Sequence, residues 1–413
     1  MKNKILTGLL LVLIGGWGSL SAQSAGSNYS RQVNTLIGTK GVGLTSGYLY
    51  PGATYPYGMV QFTPSYFSKR SGFVINQLSG GGCEHMGNFP TFPVKGKLKM
   101  SPDNILNYRI NISEEKGHAG YYEAMVQEDI KAKLTVTERT GMASYEYPAD
   151  QQYGTVIIGG GISATPIEQA AIVITAPNKC EGYAEGGNFC GLRTPYKVYF
   201  VAEFDTDALE SGTWKRNELK SNTTFAEGEY SGVYFTFDVN KKKNIQYKIG
   251  VSYVSVENAR ENLKAENTGW DFLQIQNQAE SKWNHYLGKI EVEGTNPDRT
   301  TQFYTHLYRS FIHPNVCSDV NGEYMGADFK VHKSRSKHYT SFSNWDTYRT
   351  QIQLLSILDP EVASDIVISH QLFAEEAGGA FPRWVMANIE TGVMQGDPTP
   401  ILISNAYAFG ARN

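Results

Sequence analysis

The sequence of 413 residues has little cysteine, little charge and, beyond its first segment, no long apolar run. Four cysteines in this length exclude a disulfide-dense scaffold. Charged residues make up 19% of the chain, and a net charge of −3 provides no basic surface of the kind that binds nucleic acid. We therefore expect neither a nucleic-acid partner nor a membrane span in the mature protein.

Aromatic residues and glycine, in contrast, are abundant. The chain holds 26 Tyr, 19 Phe and 6 Trp, together 12% of its residues, and 42 Gly. This mixture suits a large β-rich enzyme or a sugar-binding protein and does not choose between them. The length alone predicts about two or three domains.

The first segment has the order of an export signal. Basic residues precede an apolar run at 5–14, and small residues follow up to Ala22. This order is typical of a secretory signal peptide, and the run is shorter than the roughly 20 residues that span a bilayer. We expect a signal peptide over 1–22, with cleavage after Ala22 or Ala25, and a periplasmic or secreted protein.

Export permits disulfide bonds. Cys180 and Cys190 bracket a segment that contains glycine and asparagine, so a hairpin closed by this pair is expected. Cys83 and Cys317 are then expected to be unpaired. No Cys-x-x-Cys pair occurs, which makes a metal site built from these cysteines a poor hypothesis.

Hydrophobic periodicity divides the chain into two halves. Up to about Val256, apolar and polar residues alternate with period two, and four segments show this best: 130–137, 196–204, 233–239 and 247–253. Half-apolar strands separated by Gly, Asn and Asp turns are typical of antiparallel sheets packed as a sandwich. We therefore predict an N-terminal antiparallel β-sandwich over 27–265.

After Val256 the apolar spacing becomes helical. Helices are predicted at about 269–287, around 303–311, around 348–355, at 360–377 and at 401–409. Asp359 is the predicted N-cap of the fourth of these, with proline at its first position. Residues 289–293 are predicted as one short strand. This pattern indicates a linker helix and strand over 266–296, followed by an all-α domain over 297–413.

Two long connections interrupt the helical half, at 313–343 and 380–400. Long connections without regular structure usually carry function or are disordered, and their aromatic content argues against disorder. We expect them to form one rim of the helical domain, where a ligand is held.

Two segments in the first half have alternative interpretations. The glycine-rich turn at 79–85 lacks the Gly-Lys-Ser/Thr of a phosphate-binding loop. It is either a tight strand connection or a loop whose backbone approaches a ligand closely. The aromatic residues between Tyr48 and Phe67 form either a core between sheet and loops or a surface that stacks on sugar rings.

Acidic residues of the second half also have two interpretations. Asp346 either caps a helix or forms, with Trp345 and Arg349, a sugar platform with hydroxyl-binding partners. The Glu375-Glu376 pair and Glu390 lie on a solvated face or act as paired carboxylates for glycoside hydrolysis. An inverting pair would lie roughly 6.5–9.5 Å apart.

At these motifs the sequence resembles glycoside hydrolase family 92. The resemblance runs in order from about Gln32 to the last residue. It is carried by 33–39, 50–61, 79–93, 120–122, 137–141, 313–315, 319–324, 345–349 and 391–397. It implies a β-sandwich followed by an all-α (α/α)6 barrel, with the active site between them. It also implies a calcium-dependent exo-α-mannosidase of the α-1,2 type, acting with inversion on terminal mannose of N-glycans or mannans.

The same resemblance implies which residues meet the sugar. The loop that begins Cys83-Glu84-His85 and Asp346 on the barrel side would contact the terminal mannose. Further sugar-binding residues are implied in neighbouring motifs: Trp345, Arg349, Arg383, Trp384 and Glu390. His85 and Met86 stand where family members often carry aromatic or Asp residues, which changes what faces the sugar.

The predicted barrel is incomplete. An (α/α)6 barrel has six helix pairs, whereas about five helices are predicted in the helical half of this chain. The family's catalytic acid and base and most calcium ligands belong to an Asn-Glu-Pro and a Gly-Asp-Asp-x-Gly motif, and neither occurs here. We therefore assign no catalytic residue and no metal ligand. The chain is expected to supply the substrate-binding wall of a mannosidase; the alternative is a non-catalytic carbohydrate-binding protein.

Overall fold

The structure is a computed structural model that describes residues 28–40, 47–65, 72–103 and 111–412. The expected signal peptide over 1–22 lies outside the described residues, and so do the last two aromatic residues of the stretch between 48 and 67. Within the described part, no helix is long and apolar enough to cross a membrane.

The first half folds into two large antiparallel sheets. Their strands are β1 (Ala53–Thr54), β2 (Gln61–Pro64), β3 (Phe73–Val74), β4 (Thr91–Lys95), β5 (Ile112–His118), β6 (Tyr121–Val126), β7 (Ile130–Val136), β8 (Thr140–Glu146), β9 (Tyr153–Ile158), β10 (Ile167–Ala176), β11 (Lys179–Phe189), β12 (Leu192–Phe204), β13 (Glu210–Lys215), β14 (Glu218–Ser221), β15 (Phe225–Glu227), β16 (Ser231–Asp238) and β17 (Asn244–Ser252). One sheet has eight strands in the order β1-β2-β3-β4-β9-β16-β13-β14. The other has nine, in the order β15-β10-β11-β12-β17-β8-β7-β6-β5.

The alternating pattern explains why these strands form a sandwich. Successive side chains of a strand point to opposite faces, and in β7 Ile130, Ala132 and Leu134 are fully buried while the lysines between them are half-exposed. Phe204 of the nine-stranded sheet packs against Phe235 of the eight-stranded sheet, with ring centroids 4.9 Å apart. The β-sandwich prediction is confirmed.

The second half is helical. The helices are α1 (Val256–Glu266), α2 (Phe272–Leu287), α3 (Pro297–Ser310), α4 (Asn344–Thr347), α5 (Gln351–Leu358), α6 (Pro360–Glu376) and α7 (Thr399–Phe409). Side chains cap several of them at the N-terminus, where backbone N–H groups lack helical partners. Asp359 accepts from the backbone N–H of Val362 and caps α6, as the sequence predicts. The helical domain of the predicted fold is confirmed.

Three short two-stranded sheets occupy the two long connections. Their strands are β18 (Asn315–Val316), β19 (Glu323–Met325), β20 (Val331–Lys333), β21 (Tyr339–Thr340), β22 (Val385–Met386) and β23 (Ile389–Glu390). β18 pairs with β21, β19 with β20, and β22 with β23. The connections are therefore ordered by local pairing and not by helix formation.

The linker departs from its prediction in two places. Helix α1 was not anticipated; Ser255 caps it, and it packs on β17 and β12. The predicted strand at 289–293 does not form. Lys289 instead donates to the carbonyl of Leu358 (2.7 Å) and pairs with Asp359 (3.1 Å), so this segment lies against the helical domain and not beside a strand.

The predicted disulfide pairing is wrong. Cys83 bonds to Cys190, whereas Cys180 and Cys317 are free and buried. Cys180 lies at the start of β11 and Cys190 follows its end. An extended strand of this length separates its ends by roughly 30 Å, so these two sulfurs cannot meet.

Tyr57 lies where the sandwich meets the helices. Its ring packs edge-on against Tyr286, Phe311 and Tyr339, with centroids 5.6, 6.0 and 6.2 Å away. The backbone N–H of Tyr57 donates to the carbonyl of Phe311 at 2.8 Å. This part of the aromatic stretch therefore belongs to a core between sandwich and helices, which is the first of its two interpretations.

Candidate functional site

A cavity of about 610 Å³ lies at the junction of the sandwich and the helical domain. The sandwich contributes residues 78–83 and 189–190 to its wall. The helical domain contributes the remaining lining residues: Arg309, Ser310, His313, Pro314, Ser341, Phe342, Ser343, Asn344, Asp346, Thr347, Gln351, Ile352, Leu355, Ile366, His370, Trp384, Met394 and Leu402. Both long connections therefore reach the cavity, which is the expected place for a ligand.

Two histidines, the buried His85 and the half-buried His313, shape the glycine-rich turn at the cavity wall. His85 Nε2 accepts from the backbone N–H of Leu78 (2.8 Å), and its Nδ1 lies 2.7 Å from the carbonyl oxygen of Cys83. His313 Nε2 accepts from the backbone N–H of Ser79 at 2.7 Å. The Cε1 atom of His85 would lie 2.9 Å from a Cβ at position 81, which explains the glycine there. The turn is thus folded by contacts to both domains.

Both histidines fill these roles as neutral rings, because a protonated ring has no acceptor. Burial lowers the pKa of His85 to about 4, against weaker opposing hydrogen bonds from the backbone at Cys83 and Leu78. Burial also lowers the pKa of His313 to about 4, and the positive charge that His85 would carry adds to the effect. The contact of His313 with the turn was not predicted, although a motif quoted for the resemblance contains it.

Among the residues that the structure describes, Asp346 is the only one in the cavity wall with a carboxylate side chain. It belongs to α4 and does not cap a longer helix; its side chain accepts from the hydroxyl of Ser343. Asp346 is exposed, so its carboxylate is open to a ligand. Asn344, two residues earlier, is buried and donates to Thr399 Oγ1 at 2.8 Å. The start of α4 is therefore anchored while its acidic side chain faces the cavity.

Trp384 also lines the cavity, and its own loop holds it. Glu390 accepts from the backbone N–H groups of Arg383 (2.7 Å) and Trp384 (3.1 Å). The guanidinium of Arg383 donates to the carbonyl of Val393 at 2.8 Å. Neither Arg383 nor Glu390 is part of the cavity wall. The structure therefore places these two residues behind Trp384, where they fix its loop.

The other predicted sugar-binding residues lie outside the cavity wall. Trp345 is half-buried, and the guanidinium of Arg349 lies over its ring, 5.2 Å from the centroid. Glu84 is exposed, and His85 is buried in the turn. Of the nine predicted residues, the structure thus brings three together in the wall: Cys83, Asp346 and Trp384. The roles of all nine in binding stay predictions.

Glu375 and Glu376 do not face the cavity. Glu376 accepts from the hydroxyl of Tyr324 at 2.6 Å and from the backbone N–H of Ala327 at 3.0 Å. Glu375 accepts from Gln371 at 3.0 Å. Through Glu376 the end of α6 is thus bonded to the hairpin β19–β20. Neither glutamate belongs to the cavity wall, so the structure does not place them as a pair of carboxylates around a ligand there.

The described residues do not fit the expected calcium ion. A protein-bound Ca²⁺ takes about 6–8 oxygen ligands, usually with several carboxylates. No group of three or more His, Cys, Asp or Glu side chains in the described ranges could hold a metal. Asp346 supplies a single carboxylate to the cavity, fewer than such an ion usually takes.

The chain is thus a β-sandwich joined to a helical domain, and the cavity at their junction carries a carboxylate and an aromatic ring. Comparison with family profiles makes this specific. Residues 32–252 match the glycosyl hydrolase family 92 N-terminal domain, and residues 258–413 match the glycosyl hydrolase family 92 catalytic domain. The chain belongs to glycosyl hydrolase family 92.

Related proteins agree with this assignment. An uncharacterized secreted glycosidase of Arthroderma benhamiae is 26% identical over 363 residues, which cover 78% of this chain and 45% of that protein. A solved family GH92 α-mannosidase of Bacteroides thetaiotaomicron has a TM-score of 0.83 at 24% identity, covering 92% of this chain and 56% of that one. A GH92 inverting mannosidase of the same organism has a TM-score of 0.79 at 24% identity, covering 92% and 52%.

At these identities the solved structures show a shared fold. The chain spans about half the length of the relatives it matches, from 45% to 56%.

Proposed function

We propose that this chain supplies the sugar-binding wall of an exported exo-α-mannosidase. Support comes from its membership of glycosyl hydrolase family 92 and from the named activity of its structural relatives. One of these relatives was solved in complex with mannoimidazole, a mannose-like ligand. The observation that carries the proposal is the cleft between sandwich and helices, where Asp346 and Trp384 share one wall.

The cleft suits a sugar ring physically. Apolar and aromatic side chains make up most of a small-molecule site, and a few polar groups orient the ligand. Trp384 and Phe342 provide aromatic surface, and the exposed carboxylate of Asp346 can accept from sugar hydroxyls. The glycine-rich turn allows the backbone to approach the ring. We assign terminal mannose of N-glycans or mannans as the substrate, with the α-1,2 linkage as the proposed preference.

The proposed reaction is hydrolysis with inversion. It needs a carboxylic acid to protonate the leaving oxygen and a second carboxylate to activate water on the opposite face of the ring. Among the described residues the cleft wall contains Asp346 and no second carboxylate. We therefore propose that this chain by itself binds mannosides and does not hydrolyse them. We assign Asp346 to binding and leave acid and base unassigned.

The same carboxylate count favours the second candidate, a non-catalytic carbohydrate-binding protein. The two candidates differ in what happens when further carboxylates and calcium are supplied to the cleft. A mannosidase wall gains hydrolytic activity when it is combined with the remaining part of a family 92 enzyme, whereas a pure binding protein does not. Export to the periplasm or medium is proposed for both, in line with the secreted relative.

Titration calorimetry of the chain with methyl α-mannoside and α-1,2-mannobiose tests the proposal. We expect binding, loss of roughly tenfold in affinity for Asp346→Ala, and no free mannose after prolonged incubation, with calcium or with a chelator. Asp150→Ala, which removes an exposed carboxylate from a sandwich turn, serves as the control. Absence of mannoside binding would refute the binding wall, and release of mannose would refute the lack of acid and base.

A further inference from the structure

The Cys83–Cys190 disulfide lies in the wall of the proposed sugar cleft. Cys83 ends the glycine-rich turn, and Cys190 is at the tip of the hairpin between β11 and β12. Both residues line the cavity, and Cys190 is exposed, so solvent reaches the bond. The bond therefore ties the turn to the hairpin tip within the site itself.

Phe189 extends this link to the helical domain. Its ring stacks on Trp384, with centroids 4.4 Å apart and an interplanar angle of 29°. Phe189 also contacts His85, whose ring lies edge-on at 5.9 Å. Phe189 is buried between these two rings and precedes Cys190 directly in the chain. A shift of the hairpin tip therefore moves the ring that supports Trp384.

The position of Trp384 is coupled in turn to the segment that carries Asp346. Trp384 and Ser343 form a β-bridge, and the backbone N–H of Val385 donates to the carbonyl of Phe342 at 2.8 Å. Asp346 follows within the next turn of chain. The hairpin tip thus contacts Trp384, and Trp384 contacts the segment that leads into α4, so the three lie in a row along one wall.

We propose that Phe189, anchored by the Cys83–Cys190 disulfide, is a positioning residue for Trp384, and that the sugar affinity of the cleft depends on the oxidised state of this pair. The part of the inference that concerns sugar affinity rests on the proposed function. The part that concerns the position of Trp384 does not. Reduction by a low-molecular-weight thiol breaks the protein S–S bond and leaves two protein thiols. Two equivalents of the small thiol become its disulfide, so electrons and protons balance.

The expected loss of affinity has a physical reason: side chains that are mobile before binding lose conformational entropy when a ligand orders them. When the bond is broken, the hairpin tip is held by packing alone, and the ring under Trp384 is free to move. Binding must then order these side chains again, and each immobilised side chain weakens the observed affinity. We expect roughly a tenfold loss in affinity for mannoimidazole after reduction.

Hydrogen exchange measured by mass spectrometry tests the structural part without any ligand. The oxidised chain is compared with the chain treated with tris(2-carboxyethyl)phosphine, which reduces the bond and becomes the phosphine oxide. We expect faster exchange at 79–85, at the hairpin tip around Cys190 and also at 380–396, with the sandwich strands away from this tip unchanged. Unchanged exchange at 380–396 overturns the inference, whatever the ligand does.

Calorimetry with mannoimidazole tests the affinity part. The Cys83→Ser/Cys190→Ser variant is expected to bind as weakly as the reduced chain and to show no response to the phosphine. Equal affinity of the oxidised and reduced chains overturns the inference. If the oxidised chain itself does not bind mannoimidazole, the proposed function fails, and the exchange at 380–396 alone decides whether Phe189 positions Trp384.

Two substitutions at Phe189 keep the disulfide and so avoid any effect of its loss on folding. Phe189→Leu retains an apolar side chain but removes the ring, and we expect faster exchange at 380–396 and weaker binding. Phe189→Tyr keeps the ring and is expected to restore both towards the wild-type values. If Phe189→Leu matches the wild-type chain in both measurements, the positioning role is refuted.

Discussion

At the scale of single residues, the glycine-rich turn depends on two side chains that must remain uncharged. His85 and His313 come from different domains, yet each accepts a backbone N–H from neighbouring residues, Leu78 and Ser79. A proton on either Nε2 would remove the acceptor and place a charge in a buried position. The conformation of residues 79–83 is therefore sensitive to acid, because the two histidines that hold their backbone can be protonated.

This arrangement predicts how stability varies with pH. Both histidines titrate near 6.5 when unfolded and near 4 when folded, so the unfolded chain takes up protons first as the pH falls. The free energy of unfolding should fall between pH 6.5 and 4, by at most about 3 kcal/mol for each ring. Urea titrations of the double variant His85→Gln/His313→Gln should show a flatter profile over this interval. The exposed His285→Gln should leave the wild-type slope intact, and an equal slope in the double variant would contradict the prediction.

At the scale of elements, local signals explain which helices could be predicted. The start of α6 can be predicted from Asp359 and Pro360 alone, because a carboxylate N-cap and an early proline both act within one turn. Asn296 and Pro297 start α3 in the same way. Helix α1 has a Ser255 cap but a mixed apolar pattern, and its packing on the sheet decides its conformation.

The cap of α6 offers a test of these local rules. Asp359→Ala removes both the acceptor for Val362 N–H and the partner of Lys289, and it should cost about 1–2 kcal/mol of unfolding free energy. Asp359→Asn keeps a cap of similar strength and should recover most of that loss. Thermal and urea unfolding of the two variants measure the difference. If Asn destabilises as much as Ala, the ion pair with Lys289 and not the cap is responsible.

The site was predicted less completely than the fold, because its parts are distant in sequence. The disulfide joins positions 107 residues apart, and no local pattern indicates such a partner. The extended conformation of β11 excludes the Cys180–Cys190 alternative, but that requires the strand to be known. Asp346 and Trp384 were found through family motifs, whereas the contact of His313 with the turn appears only when the two domains meet.

At the scale of the whole molecule, the helical domain presents apolar side chains to solvent. Helices α5 and α7 pack together through buried side chains, yet Ile357, Ile401, Tyr407 and Phe409 on the same two helices are between 45% and 67% exposed. Contiguous apolar surface beyond a few hundred Å² is a typical place of association. These exposed side chains lie on two helices that pack against each other, α5 and α7, whereas most large apolar side chains of the sandwich are enclosed.

We therefore predict that the chain self-associates. Sedimentation velocity should show species larger than a monomer at concentrations on the order of tens of micromolar. The double variant Ile401→Lys/Tyr407→Lys should shift the distribution towards monomer. Leu209→Lys, which changes an equally exposed side chain of the sandwich, should not. A wild-type chain that sediments as a monomer throughout this range would contradict the prediction.

The contacts of the first described residues have a consequence for dissecting the protein. The backbone N–H of Ser30 donates to Asn284 in α2 at 2.7 Å, and that of Asn34 donates to Thr305 in α3 at 3.0 Å. Tyr57, described above, belongs to an apolar cluster that also contains Trp283 of α2 and Tyr304 of α3. The beginning of the sandwich is thus fastened by helices that follow it in sequence, although the family profiles divide the chain between residues 252 and 258. A fragment that ended at that division would lose the helix partners of Ser30 and Asn34 and would expose the apolar side chains around Tyr57 to water.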